Sequence, residues 1–404
     1  STAQFEPVDL LEAAKRLLAD YEICPRNKEL IEIHKRCFAG HEDKLELNLA
    51  KLHIPELAKY LVWIPFERFI NVTVLGIGGF ACVYRGTVRW PAESFVFLDR
   101  VEKLNYRIMK ETVERDFAMK EFDETMVNEL IFATHISNHH KIWQNPTMGI
   151  IGLSYHPTTN KYLIVMHLAK SSLESSTLTK GSTTTWAMIY HMATELTVRL
   201  QMLHDLGLVH KDLHSGNVVI NHNIPYMIDI GLAVPISHAN SAPGDGIYGR
   251  LEYLPPESLC GEPYTAASDV YCLGTLFWQF VVGVPPRGTA AELMTDGMRE
   301  EMVPEMPAEY ENVIRACWNP DPVKRPSAKE VVEMLRTNAT AIREHLVKSS
   351  TIKYIKAREK EYMAKTESTI FFAESQVSRS QFHVYKDLME YSRRISATTD
   401  NAPT

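Results

Sequence analysis

Three side chains in LVHKDLHSGNVVINHNIPYMIDIG, Leu208 to Gly231, carry oxygens that could do chemistry: Asp212, Asn217 and Asp229. An apolar lead-in, a polar loop and a short apolar segment ending in an acid would deliver them from adjacent turns as metal or proton ligands. Two features upstream add to them. Gly76-Ile77-Gly78-Gly79 separates two β-patterned runs, and glycines let the backbone approach a phosphate and point N–H groups at it. Lys120 stands in the apolar run Phe117-Ala118-Met119-Lys120-Glu121-Phe122, where an ammonium is costly to bury without a partner.

The elements that would hold these residues can be read from periodicity. Phe69 to Leu75 reads as a strand leading into the glycines, and Cys82 to Gly86 as the strand after them. WPAESFVFLDRVEKLNYRIMKETVERD reads as a long polar connection. Gly149 to Leu153 and Tyr162 to Met166, joined by HPTTN, predict a hairpin of two buried strands. Residues 185–206 predict a helix, with Ile189, Met192, Ala193, Leu196, Leu200 and Leu203 on one face. From Leu232 to Leu254 the periodicity fades, and a long loop there, carrying Ser237, Ser241 and Tyr248, is the expectation.

Both ends of the chain look different. In residues 1–66, Leu10, Leu11, Ala14, Leu17 and Leu18 mark a helical face, and Leu45, Leu49 and Leu52 a later helix that Pro55 would end. Cys24, His34, Cys37 and His41 lack the paired spacing of a structural zinc site, so solvated or packed side chains are expected. Beyond residue 338, IREHLVKSSTIKYIKAREKEYMAK predicts a basic, solvated helix, with partner contact as the alternative. A further amphipathic helix is expected around Phe382 to Ile395, and disorder in SATTDNAPT.

Composition sets the frame. The 404 residues allow two or three domains, and 45% hydrophobic with 23% charged residues describe an ordinary globular chain with ample core. A net charge of -7 argues against wholesale binding to nucleic acid or acidic membrane. No run approaches the roughly 18 apolar residues of a membrane span, the first residues lack a signal-peptide core, and six scattered cysteines suit a reducing compartment. An intracellular protein is expected, in the cytoplasm first, with the nucleus open.

His210-Lys211-Asp212-Leu213-His214-Ser215-Gly216-Asn217 and Asp229-Ile230-Gly231 resemble the catalytic loop and metal-binding turn of eukaryotic protein kinases. Gly76-Ile77-Gly78-Gly79-Phe80-Ala81-Cys82-Val83 is similar to the kinase glycine-rich loop, with Ala81 in place of the third glycine. Ala118-Met119-Lys120 resembles the strand whose lysine binds nucleotide phosphates and pairs with a glutamate of the next helix. Glu129 is the expected partner and Glu124 the alternative. Pro255-Pro256-Glu257, Asp269 and Arg325 also match: the resemblance implies a buried Glu257–Arg325 ion pair and Asp269 as an anchor for the catalytic-loop backbone. The YTAASDVYCLG and CWNPDPVKRPSA stretches look most like the tyrosine-kinase-like group of serine/threonine kinases.

The resemblance implies an α+β, two-lobed kinase fold within residues 67–337: a β-rich lobe over 67–166 and a mainly helical lobe over 170–337, flanked by extensions 1–66 and 338–404. It implies ATP and Mg²⁺ as cofactors and transfer of the γ-phosphate to protein substrates in intracellular signalling. Ser/Thr acceptors are expected, with tyrosine or dual specificity open. Asp212, Lys120 and Glu129 would be catalytic. ATP would meet Gly76, Ile77, Gly78, Gly79, Val83, Ala118, Lys120 and Asn217, with Met166, His167 and Ala169 at the adenine in the segment joining the lobes. Asn217 and Asp229 would hold the metal. Lys211 replaces an arginine, His214 a lysine and Arg250 a threonine of the common pattern. A pseudokinase scaffold acting through partners of the flanking helices is therefore the alternative, and a small-molecule kinase a distant third.

Overall fold

A six-stranded sheet organises the first part of the chain in the computed structural model, which describes residues 12, 14–16, 23, 25–77, 81–90, 96–98, 106–108, 113–139, 145–174, 185–235, 250, 252–287 and 300–373. Ahead of the sheet lie α1 (Pro25–Cys37) and α2 (Glu42–Lys51), and the described residues 12 and 14–16 are also helical. The strands are β1 (Val62–Trp63), β2 (Phe69–Ile77), β3 (Cys82–Trp90), β6 (Val113–Phe122), β7 (Ile150–His156) and β8 (Lys161–His167). Their order is β1-β7-β8-β6-β3-β2, with only β1–β7 parallel. Between β3 and β6, β4 (Val96–Leu98) and β5 (Tyr106–Ile108) form a separate hairpin within the long polar connection, and β6 starts earlier than its apolar run.

Register sorts the sheet's faces. Val83 pairs with Lys120, and Ala118 with Met166, so these four side chains share one face. Phe117, Met119, Tyr84, Val88, Leu163 and Val165 alternate to the other face and form a core with Phe38, Val62 and Ile64. Described residues before 66 thus take part in the core behind the sheet. At Gly152 a Cβ would lie 2.1 Å from the Val62 carbonyl oxygen, so the β1–β7 pairing requires glycine there. His34 packs on Trp90, and Cys37 Sγ donates to the Ile33 carbonyl, so both are packed side chains. Helix α2 ends at Lys51, and Pro55 opens a 3₁₀ turn beyond it. Helix α3 (Val127–His139) carries Leu130, Ile131, Phe132, Thr134, His135 and Ile136 buried on several sides, as a helix enclosed by its neighbours must.

The chain divides into two compact units, Ala3–Lys170 with Ile228–Ala233, and Ser171–Met227 with Val234–Thr404. The second is mainly helical. It contains β9 (Ser171–Ser172), α4 (Trp186–Asp205), β10 (Leu208–Val209), β11 (Val218–Asn221), β12 (Ile224–Met227), β13 (Val234–Pro235) and α5 (Pro256–Leu259). Beyond these lie α6 (Ala266–Val282), α7 (Ala308–Cys317), α8 (Ala328–Thr337), α9 (Ala339–Arg343) and α10 (Ser349–Ala373). The predicted face of α4 is buried at all six positions, and Thr185 caps the helix by accepting from the Met188 N–H. Among the described residues no helix is long and apolar enough to cross a membrane.

The C-terminal helix is not solvated all round as expected. In α10, Thr351, Ile355 and Arg358 are buried, and the Arg358 guanidinium lies 5.8 Å from the Trp278 ring centroid on α6. It also pairs with Glu300 at 3.2 Å and with Glu361 at 2.8 Å, while Arg287 reaches Glu361 at 2.6 Å. Hydrogen bonds, first from Arg287 and then from Arg358, hold the Glu361 carboxyl at about 2 against its ordinary 4.5. A depressed carboxyl pKa adds stability above the unfolded value and loses it as pH falls. Urea midpoints of Glu361→Gln are expected to lie below wild type at neutral pH, with the difference closing between pH 4.5 and about 2. A pH-independent difference would show that Glu361 acts by packing alone.

Candidate active site

In the first unit the chemistry gathers around one ammonium. Lys120, in the middle of β6, is buried, with Nζ 2.6 Å from Glu129 Oε1 and 2.7 Å from Asp229 Oδ1. Burial works against the lysine charge, but the Glu129 and Asp229 carboxylates outweigh it and hold its pKa above the usual value. Glu129 stands in the first turn of α3, while Glu124 is exposed in the preceding turn. Of the two sequence candidates, the structure therefore pairs Glu129 with Lys120. Asp229 has φ +57, a left-handed conformation that is rare for a residue with a Cβ. At Gly231 a Cβ would sit 3.1 Å from Glu129 Oε2 and 3.3 Å from Asp229 Oδ1, so glycine lets this turn close on the two acids.

Val83 and Ala118 lie on the Lys120 face by register, and Met166 and His167 close β8, with Ala169 just beyond. Gly76 and the Ile77 backbone end β2. Gly78 and Gly79, like Cys24, Ser237, Ser241, Tyr248 and the helix expected near residue 385, lie outside the described residues.

The second unit holds the loop from His210 to Asn217. Asp269, fully buried on α6, accepts from the His210 N–H at 2.8 Å, the Lys211 N–H at 3.1 Å and the Tyr264 hydroxyl at 2.7 Å, with His204 Nε2 at 2.9 Å. Burial raises its pKa, but these contacts outweigh it and keep the carboxyl below its ordinary range. Asp269 thus fixes the loop backbone, including Lys211 at φ +66. The sequence pointed to Asp269; His204 and Tyr264, its partners, gave no signal.

Within that loop both Asn217 Nδ2 hydrogens go to Asp212, to its carbonyl and Oδ2, each at 2.9 Å, leaving Asn217 Oδ1 as an oxygen donor. Asp212 Oδ1 is buried without a hydrogen bond, and His214 Nε2 lies 3.4 Å away. His214 Nδ1 accepts from the Gly216 N–H at 3.0 Å, which places the ring proton on Nε2, facing Asp212. Burial pushes the Asp212 pKa up, but His214, His210 and Asn217 outweigh it, so the carboxyl stays below its ordinary value and ionised at neutral pH. An ionised, partly buried acid is equipped to accept a proton.

A network missed by sequence reasoning lies beside this loop. Glu174 accepts from Ser215 Oγ at 3.0 Å and pairs with Arg250; the Tyr253 hydroxyl reaches Ser215 Oγ at 2.9 Å and also bonds Gln279. Further along, Arg325 meets Glu257 through two bonds of 2.6 Å, as the resemblance implied.

Residues 70–335 match the family model described as protein tyrosine and serine/threonine kinase. A probable LIM domain-containing serine/threonine-protein kinase of Dictyostelium discoideum is 30% identical over 44% of this chain and 28% of its own length. Another probable serine/threonine-protein kinase of that organism is 25% identical over 67% of this chain and 28% of its own length. The mast/stem cell growth factor receptor-related protein Kit of Xenopus laevis is 33% identical over 34% and 15% respectively. The chain spans less than a third of the length of these curated relatives.

Proposed function

Because the chain belongs to the protein tyrosine and serine/threonine kinase family, we propose that it transfers the γ-phosphate of ATP to serine and threonine hydroxyls of protein substrates, in intracellular signalling. The observation that carries this reading is Lys120, a buried ammonium kept charged by Glu129 and Asp229. Such a cation suits the α- and β-phosphates, with Glu129 holding its direction. Asp212 orients the acceptor hydroxyl and takes its proton. Asn217 and Asp229 offer the hard oxygens that Mg²⁺ prefers, and the ion supplies charge neutralisation on the phosphate oxygens. Gly76, Ile77, Gly78, Gly79, Val83 and Ala118 bound the nucleotide, with Met166, His167 and Ala169 at its base. Serine/threonine preference is supported by the names of the Dictyostelium relatives.

The test is transfer of label from γ-labelled ATP with Mg²⁺ to the protein itself and to a generic protein acceptor, with phosphoamino-acid analysis of the product. Lys120→Met is expected to reduce transfer roughly 10- to 100-fold, because a lost charge-assisted contact costs about 1.5–3 kcal/mol. Label on phosphoserine or phosphothreonine fits the proposal. ATP binding without transfer, equal in both proteins, would favour a scaffold instead.

A further inference from the structure

Helix α3 is held at both ends, and only one of those holds belongs to the active-site chemistry. Its first turn carries Glu129, bonded to Lys120 at 2.6 Å. Its other end, about 20 Å away for thirteen residues at the usual rise, closes at His139 with carbonyls that the helix itself cannot satisfy. Asn27, on α1 and buried, meets two of them: Nδ2 donates to the Ser137 carbonyl at 3.2 Å and to the Asn138 carbonyl at 3.1 Å. Both hydrogens of one amide are thus spent on capping a helix more than a hundred residues away in sequence. The Ile150 N–H adds a bond to Ser137 Oγ at 3.2 Å, tying the same end to β7.

The segment that presents Asn27 is itself anchored. β1 pairs with β7 through Val62–Gly152 and Trp63–Leu153, the Ile64 N–H donates to the Leu153 carbonyl at 2.8 Å, and Phe38 on the chain between α1 and α2 sits in the sheet core. A helix pinned at its far end by a fixed neighbour loses the tilt that would swing its first turn off the sheet.

We infer that Asn27 is a positioning residue: it clamps the C-terminal end of α3 and so holds Glu129 on Lys120, making the segment before residue 66 a built-in support for the nucleotide-facing lysine. The inference rests on the proposed kinase function for its effect on rate, but not for the clamp itself. Replacing Asn27 by alanine would remove both donors from the Ser137 and Asn138 carbonyls at a buried helix end.

The test is a double-mutant cycle of Asn27→Ala and Glu129→Gln, read by kcat for transfer to a generic protein acceptor and by hydrogen exchange across residues 127–139. Asn27→Ala alone is expected to lower kcat about tenfold, leave KM for the protein acceptor unchanged and speed exchange in α3. In the Glu129→Gln background the same substitution is expected to change kcat by about twofold or less, since nothing remains for it to position. Equal losses in both backgrounds, or unchanged exchange in α3, would overturn the inference. A wild type that transfers no phosphate sinks the proposed function, and exchange in α3 then decides the clamp on its own. If Asn27→Ala does not fold, Asn27→Ser, which keeps one donor, carries the same cycle.

Discussion

Asp212→Asn is expected to lower kcat for phosphoryl transfer by about 10² to 10⁴-fold while leaving KM for ATP nearly unchanged. The substitution is nearly isosteric, so the loop that Asp269 fixes should keep its shape. What changes is chemistry: an amide cannot accept the proton of the attacking hydroxyl. Asn217 would also face an amide in place of the carboxylate Oδ2 it now donates to at 2.9 Å, and His214 Nε2 would lose the negative charge 3.4 Å away. The depressed pKa of Asp212 gives the sign of the pH dependence. A base that must be ionised, with a pKa below the ordinary 3.8, keeps kcat level down through the weakly acidic range, and rate falls only when pH passes below that value. A kcat that dropped between pH 7 and 5 in wild type, and no longer did so in Asp212→Asn, would mean that Asp212 titrates in a raised range and that His214 and Asn217 hold it only loosely. A variant retaining more than about a tenth of wild-type kcat would remove Asp212 from the proton step.

Contacts between residues close along the chain could be read from the local pattern, whereas the distant ones, Asp269 with the catalytic loop and Glu257 with Arg325, were legible only through the family resemblance. Asp212 and Asn217 share one loop, and Lys120 and Glu129 sit on a strand and the helix after it, nine residues apart. There the local pattern nearly dictates the contact. Glu174 and Arg250 stand 76 residues apart, and nothing around Glu174 points to its partner, so their pairing had no local trace. Periodicity showed that the N-terminal helices bury a face, yet not what covers it; Phe38 joins the core behind β3 and β6 through a contact that only the fold creates. Gly152 read as one more strand residue, although its missing side chain is what admits β1. The misreading of α10 has the opposite origin. Arginine and lysine in sequence suggest solvent, whereas Arg358 is buried against Trp278 with Glu300, a carboxylate 58 residues away, to balance it. A charge tells where a side chain goes only once its partner is known.

That rule sets the size of the largest expected loss of stability. Arg325→Ala should lower the stability of the helical unit by about 3–5 kcal/mol, measured as the shift of its urea midpoint multiplied by the unfolding slope. The Arg325 side chain is fully buried and spends its donors completely: Nη1 and Nη2 on the two oxygens of Glu257 at 2.6 Å, Nε on the Asn319 carbonyl at 2.7 Å, and further bonds to the Ala267 and Pro320 carbonyls at 3.0 and 3.3 Å. Its guanidinium also stacks 4.8 Å from the Tyr271 ring centroid. Removing it leaves the Glu257 carboxylate buried with Ser268 Oγ still donating at 2.8 Å, and takes their donor from the Asn319 and Pro320 carbonyls, while the Ala267 carbonyl lies in the first turn of α6 and keeps its helical bond. By contrast, Arg315→Ala breaks an exposed pair with Glu311 and is expected to cost about 1 kcal/mol or less. Lysine cannot replace the planar fork, so Arg325→Lys should recover little. The informative variant is the double substitution Glu257→Leu with Arg325→Met. If the loss came only from an unpaired buried charge, removing both charges would restore wild-type stability. Because the Asn319 and Pro320 carbonyls would still lack the Arg325 donors, the double variant is expected to recover only about half of the loss. Full recovery would show that the carbonyl bonds contribute nothing net, and that the pair matters for its geometry around α5 and α6 more than for its energy.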